Sequence, residues 1–251
     1  MSKYGIAVQL YSLRNECEKD FTGTLKKVAD LGFDGVELAG YGGLSVGELK
    51  AVLDDLGLQA ASNHVQLARL ESEPEQVIRE QKELGCSHIV CPVLPRDRQT
   101  RADYEKLIQT LNEVGEMSEK EGITLSYHNH DFELIPFEDG VVPLEYIMEQ
   151  SNPDWVKAEF DVYWLKKAGE DPVKWLKKYQ ERTPLVHLKD MTTDGEEFFA
   201  ELGTGGVDIE AVLAQTSSVP VEWWIIEQDQ SRKTPLESIE QSIKYLNKRA
   251  L

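Results

Sequence analysis

Short apolar runs and longer amphipathic ones alternate along the whole of this 251-residue chain. Strand-type runs fall at 4–12, 35–40, 58–65, 88–94, 123–130, 156–162, 185–190 and 223–230. Helical patterns fall at 22–31, 45–56, 74–84, 101–121, 143–150, 171–181, 208–215 and 236–248. Strands that feed helices in this order run parallel and are covered by those helices. Eight such units close a (β/α)8 TIM barrel. Boundary residues agree. Ser45 precedes "VGELK" with Glu48 three residues on, a capping box, and Asp171-Pro172 places proline in a first turn. "ADLGFDGVEL" and "KELGCSHIV" each end a helix on glycine just before the next strand. An open doubly wound sheet is the alternative, but the first strand lacks a GxGxxG turn and no linker divides the chain. The expectation is one α/β domain, a TIM barrel over 1–251.

Charge narrows the partners. With 27 basic against 45 acidic residues the net charge is −18, and no Lys/Arg cluster is long enough to follow a phosphate backbone. Nucleic acid is therefore not an expected partner. No apolar run approaches the ~18 residues of a membrane span. The opening "MSKYGIAVQLYSL" enters a strand-type run without a small-residue cleavage site, so a secretory signal is not expected. Cys17, Cys86 and Cys91 are odd in number and irregular in spacing, which points to a reducing cytoplasm.

Parallel barrels gather their chemistry at the carboxyl ends of the strands. Those ends carry Gln9, Tyr11 and Arg14, then Glu37, then Asn63 and His64. Further along come His128, His130, Asp131 and Glu133, then Glu159 and Asp161, then His187, Lys189 and Asp190, and last Glu227 and Asp229. Strand alternation puts Thr124, Ser126, His128 and His130 on one face, Lys157, Glu159 and Asp161 on another, and His187 beside Lys189. Converging buried Asp, Glu and His need compensation, and a divalent cation is a common way to supply it. Oxygen and imidazole donors without thiolate suit Mn, Mg, Co, Zn or Fe(II) alike.

Several segments together resemble the xylose-isomerase-like TIM-barrel superfamily: "VQLYSLR" (8–14), "LGFDGVEL" (31–38), "LSYHNHDFE" (125–133), "FDVYW" (160–164), "VHLKD" (186–190), "LGTGGVDI" (202–209) and "IIEQD" (225–229). That superfamily contains sugar (phosphate) isomerases and epimerases, inosose dehydratases, keto-glycoside lyases and a DNA-repair endonuclease branch. The resemblance implies a single divalent-metal site of Glu, Asp, His and Glu from strands five to eight. By position these fall on His128, Asp161, His187 and Glu227, so an imidazole stands where the family's epimerases carry a glutamate.

In those epimerases the two glutamates also act as paired bases. With His128 in one position, that two-carboxylate chemistry does not transfer unchanged. Either His128 takes the ligand's place with His130 above it, or His128 supports from behind and Glu159 or Glu133 completes the set. The resemblance further implies Glu227, His130 and Lys189 as catalytic groups and His64, Glu37, Glu133, Trp164 and Glu159 as contacts to a small carbohydrate.

Bland readings stand beside these. Lys189 pairs equally well with Glu159 or Asp190, Glu159 with Lys157 or Lys189, and "GTGG" (203–206) is as much a turn as a phosphate cradle. The activity implied is a metal-dependent isomerase or epimerase. A dehydratase or lyase acting on a keto-sugar, keto-inositol or keto-glycoside is the alternative, and a non-catalytic sugar-binding barrel the further one. Trp175 and Trp223, read as exposed, are candidates for a homodimer contact, although helix–barrel packing accounts for them equally.

Overall fold

The computed structural model describes residues 4–217 and 219–249. Eight parallel strands close a barrel: Gly5–Gln9, Gly35–Leu38, Gln59–His64, His88–Cys91, Thr124–His128, Val156–Asp161, Leu185–Leu188 and Trp223–Ile226. Each pairs with its sequence neighbours, and the first closes onto the eighth. The barrel strands are called one to eight in that order. All eight expected helices are present: Phe21–Asp30, Val46–Leu56, Pro74–Leu84, Arg101–Glu119, Pro143–Gln150, Pro172–Lys178, Ile209–Leu213 and Pro235–Asn247. The Ser45–Glu48 capping box forms, Asp171 caps the helix that starts at Pro172, and Gly85 ends its helix at φ 74°.

Side-chain alternation divides the core into two. Outward residues such as Val8, Val36, Leu125 and Phe160 pack under the helices in one large cluster. Inward Ala7, Ala61, Val90, Leu185 and Ile225 form a small separate cluster that Trp223 packs against. A Cβ on Gly5 would lie 2.2 Å from the Trp223 ring, and one on Gly35 would lie 3.1 Å from it. These glycines therefore leave the space that Trp223 fills at the amino end of the barrel. Trp223 is not an exposed dimer contact, and neither is Trp175, which is buried edge-on against Phe160. With the bottom plugged by apolar groups, the polar inward layer starts one step higher, at Gln9, Glu37, Glu159 and His187.

Among the described residues, three α-helices and a ribbon lie beyond the expected pattern in loops at the carboxyl ends: Arg14–Lys19, Leu67–Ser72, Val162–Lys167, and the antiparallel pair Asp190–Met191 with Phe199–Ala200. The glycine loop 203–206 is not an anion cradle, because its amides are already taken. Asp190 Oδ2 accepts from the backbone N–H of Gly203 and Gly205 at 3.0 and 2.9 Å, while Oδ1 accepts from Val207 and Met191. A Cβ on Gly205 would lie 2.4 Å from Asp190 Oδ1, so glycine here allows a buried carboxylate, rather than a substrate phosphate, to occupy the nest.

Candidate metal centre and cavity

A cavity of about 690 Å³ opens at the carboxyl ends of the strands. His64, His128, His130, Glu227 and Asp229 line it, together with Tyr11, Asn63 and Arg69. At its floor, ligand atoms of His128, Asp161, His187 and Glu227 lie within 4.8 Å of one another, all four residues buried. These are the four positions expected to hold a metal.

Local geometry sets the orientation of each donor. His128 closes strand five with Nδ1 3.2 Å from the Pro92 carbonyl. A carbonyl only accepts, so Nδ1 carries the hydrogen and Nε2 is left with its lone pair. Burial pushes the imidazole down to about 4, which keeps it neutral. Nε2 has no hydrogen-bond partner and lies 3.4 Å from Asp161 Oδ2, a carboxylate oxygen that also lacks one. Lys189 Nζ lies 2.8 Å from Oδ2, but the buried lone pair of His128 facing that oxygen has no cation or hydrogen of its own. The donor set therefore fits a divalent ion.

Asp161 ends strand six and caps the helix Val162–Lys167. Its Oδ1 accepts from the backbone N–H of Tyr163 and Trp164 at 2.9 and 3.1 Å, which aims Oδ2 inward. Burial alone would raise its pKa, but Lys189 and His128 hold the carboxyl down at about 2. His187 presents Nδ1 to Glu227 Oε2 at 2.9 Å and Nε2 to Glu37 Oε1 at 2.6 Å. Glu37 also accepts from Gln9 Nε2 and Ser62 Oγ. A ligating imidazole commonly donates its other N–H to a carboxylate, and Glu37 is placed to accept that bond from His187.

Several expected substrate contacts lie elsewhere. Glu37 and Glu159 are fully buried and do not line the cavity. Glu159 Oε2 lies 2.8 Å from His64 Nε2 and 3.2 Å from His187 Nε2, so it pairs with neither Lys157 nor Lys189. Lys157 instead donates to the Pro153 carbonyl. Lys189 pairs with neither Glu159 nor Asp190; its Nζ faces Asp161, Glu227 and Asp229. Trp164 stands behind the lining, its ring 5.5 Å from that of His130. Strand five ends at His128, yet His130 stays on the same side of the chain, the two rings 4.9 Å apart and both lining the cavity. Between them Asn129 Oδ1 accepts from Asp161 N, and His130 reaches the cavity from just beyond the strand.

Glu133 is fully buried beneath that loop, accepting from Tyr127 Oη at 2.7 Å and from His130 N at 2.8 Å. It belongs to neither the donor set nor the cavity wall. Burial raises its carboxyl to about 7. A folded-state pKa above the unfolded one adds stability that is full below about 4.5 and is lost as pH rises through about 7. Glu133 should therefore weaken the fold by up to about 3 kcal/mol between pH 5 and pH 8. Denaturant melts at both pH values should give a smaller drop for Glu133→Gln than for wild type.

Two residues that matter here were not singled out as site residues from the sequence. Asp229 is the aligned hydrogen-bond partner of Lys189, and Arg69 lines the cavity while forming ion pairs with Glu73 and Glu80. Asp229 had a signal, since it follows Glu227 at strand spacing; Arg69 sits on a short helix with none.

A family model described as xylose isomerase-like TIM barrel matches residues 25–249. An inosose dehydratase from Geobacillus kaustophilus is 24% identical over 89% of this chain and 85% of its own length. Another, from Clostridium tetani, is 28% identical over a stretch covering 60% of this chain and 56% of that protein. A crystal structure of a sugar phosphate isomerase/epimerase from Parabacteroides distasonis superposes with a TM-score of 0.82, at 26% identity, over 98% of this chain and 94% of that one.

Proposed function

Given that the chain belongs to the xylose isomerase-like TIM barrel family, we propose that it is a divalent-metal-dependent lyase that removes water from a cyclic keto-polyol. The observation that carries this reading is the imidazole at His128. Among the four donors, Glu227 is the one carboxylate that also lines the cavity. Epimerisation with paired glutamates needs a base on each face of the sugar. Elimination of water needs only one, which takes the hydrogen beside the carbonyl and can return it to the departing hydroxyl. Relatives named inosose dehydratase support the same choice.

His128, Asp161, His187 and Glu227 would hold the ion, which when bound polarises a substrate carbonyl. Glu227 is the proton acceptor, with an oxygen available on the cavity side. His130 is held down at about 2 by burial and by the nearby His128 and Lys189, so it is neutral and donates to or accepts from a substrate hydroxyl. His64, 11% exposed and anchored through Nε2 on Glu159, presents its other edge to the cavity as a second hydroxyl contact. Glu37 orients His187, and Glu159 orients His64. The three unpaired cysteines support a cytoplasmic setting. Among the described residues no helix is long and apolar enough to cross a membrane.

A second reading, isomerisation or epimerisation of a sugar, is favoured by the Parabacteroides likeness. One experiment separates the two. Metal-loaded protein is incubated in D2O with a keto-inositol, and in parallel with keto-sugars and their phosphates. Ultraviolet absorbance then reports a conjugated enone and NMR reports deuterated epimers. The expected result is enone from the keto-inositol; a deuterated epimer or aldose–ketose pair without enone would assign the second reading instead.

A further inference from the structure

Asp161 and Glu227, two of the four metal donors, already face a cation that belongs to the chain. Lys189 follows strand seven and is 1% exposed. Its Nζ lies 2.8 Å from Asp161 Oδ2, 2.6 Å from Glu227 Oε2 and 2.8 Å from Asp229 Oδ2. The three contacts are not equivalent. Lys189 Nζ donates to Asp229 with hydrogen-bond alignment, whereas Asp161 Oδ2 is left without a hydrogen bond despite its proximity. The Asp161 and Glu227 contacts are thus chiefly charge compensation, of the kind a divalent ion would supply more strongly.

An ammonium and a divalent ion cannot both rest against the same two oxygens without strong mutual repulsion. Asp229 offers the ammonium another place. It lines the cavity, is 24% exposed, and already holds the one aligned bond. The rings of Trp164 and Phe199 lie 5.5 and 5.9 Å from Nζ and offer the charge neighbouring π-systems.

We propose that Lys189 is a built-in counter-cation that balances Asp161 and Glu227 until a divalent ion arrives, then yields both and stays on Asp229 at the cavity wall. The inference rests on the metal-site reading above. Its consequence is that ion uptake and substrate readiness are coupled, because the same event that fills the donor set frees the Asp229-bound ammonium to face developing substrate charge.

The test uses chelator-stripped full-length protein and Zn2+ as the probe. Zn2+ affinity is measured by chelator competition for wild type and Lys189→Met. Reductive methylation, mapped by peptide mass spectrometry, follows the Lys189 amine with and without Zn2+, with exposed Lys26 as the internal reference. Expected are several-fold faster methylation of Lys189 once Zn2+ is bound, at an unchanged Lys26 rate, and at least tenfold tighter Zn2+ binding by Lys189→Met. If Zn2+ binds but the Lys189 methylation rate does not rise, the proposal is overturned while the metal site stands. Unchanged or weaker affinity in a folded Lys189→Met overturns it in the same way. If Lys189→Met does not fold, wild-type methylation alone decides. Failure of wild type to bind Zn2+, Mn2+ or Co2+ removes the metal reading and this proposal together.

Discussion

Asp161→Asn is expected to lose the divalent ion while keeping the fold. The substitution preserves a side-chain oxygen to accept from the Tyr163 and Trp164 amides, so the helix Val162–Lys167 keeps its cap. It replaces the inward oxygen, which faces His128 Nε2, with a neutral amide end. Loss of an outer partner of a ligand typically costs 10–100-fold in metal affinity, and loss of a ligand's own charge should cost at least about 100-fold. Elemental analysis of purified protein should then find about one ion per chain in wild type and little in Asp161→Asn. His128→Ala should behave similarly, since it removes the buried lone pair that faces Asp161. Retention of the ion by His128→Ala alone would take His128 out of the ligand set. Circular dichroism melts distinguish ligand loss from unfolding. Asp161→Ala serves as the comparison, expected to lose the ion and in addition about 1 kcal/mol of cap stability.

How far the sequence reaches can be judged from these same residues. The barrel was legible because a closed parallel sheet repeats one local pattern eight times, and each strand's apolar run, capping residue and terminal glycine report the same arrangement. That His128, Asp161, His187 and Glu227 would converge was legible through motif resemblance, and strand alternation explains why His187 and Lys189 fall on one face. Long-range pairing was not legible. Glu37 reads as a strand-end polar residue until the barrel brings it against His187, 150 positions away. Lys189 offers several plausible carboxylate partners in sequence, and only the closed barrel selects Asp161, Glu227 and Asp229. Short non-repeating pieces were also hidden. The ribbon uses two residues per strand, too few for a period, and its loop is fixed by four backbone amides converging on Asp190. The "HNH" stretch read as continuous strand because alternation fits it; the strand stops at His128, Asn129 gives its side-chain oxygen to the Asp161 amide, and both histidines still face the cavity.

Glu227→Gln should produce the largest kinetic loss. Glu227 follows strand eight, where Oε2 meets His187 Nδ1 at 2.9 Å and Lys189 Nζ at 2.6 Å. Among the described residues no hydrogen bond to Oε1 is made, and the side chain lines the cavity. One oxygen thus meets His187 and Lys189, which leaves the other for the proton transfer proposed above. Gln keeps the size of the side chain but cannot accept a proton, so turnover should fall by roughly 10³-fold or more. Weaker ion binding could mimic that loss, so the assay is run across a metal titration to saturation. Exchange of the substrate hydrogen beside the carbonyl with D2O gives the second readout. If Glu227 is the acceptor, exchange and elimination disappear together in Glu227→Gln even at saturating metal. His130→Gln should instead slow elimination by about 10–100-fold and leave exchange running. His130 lines the cavity but is not one of the donors gathered at its floor, so it partners the departing hydroxyl rather than the hydrogen beside the carbonyl. The opposite pattern, exchange lost in His130→Gln and kept in Glu227→Gln, would make His130 the acceptor and reduce Glu227 to a ligand.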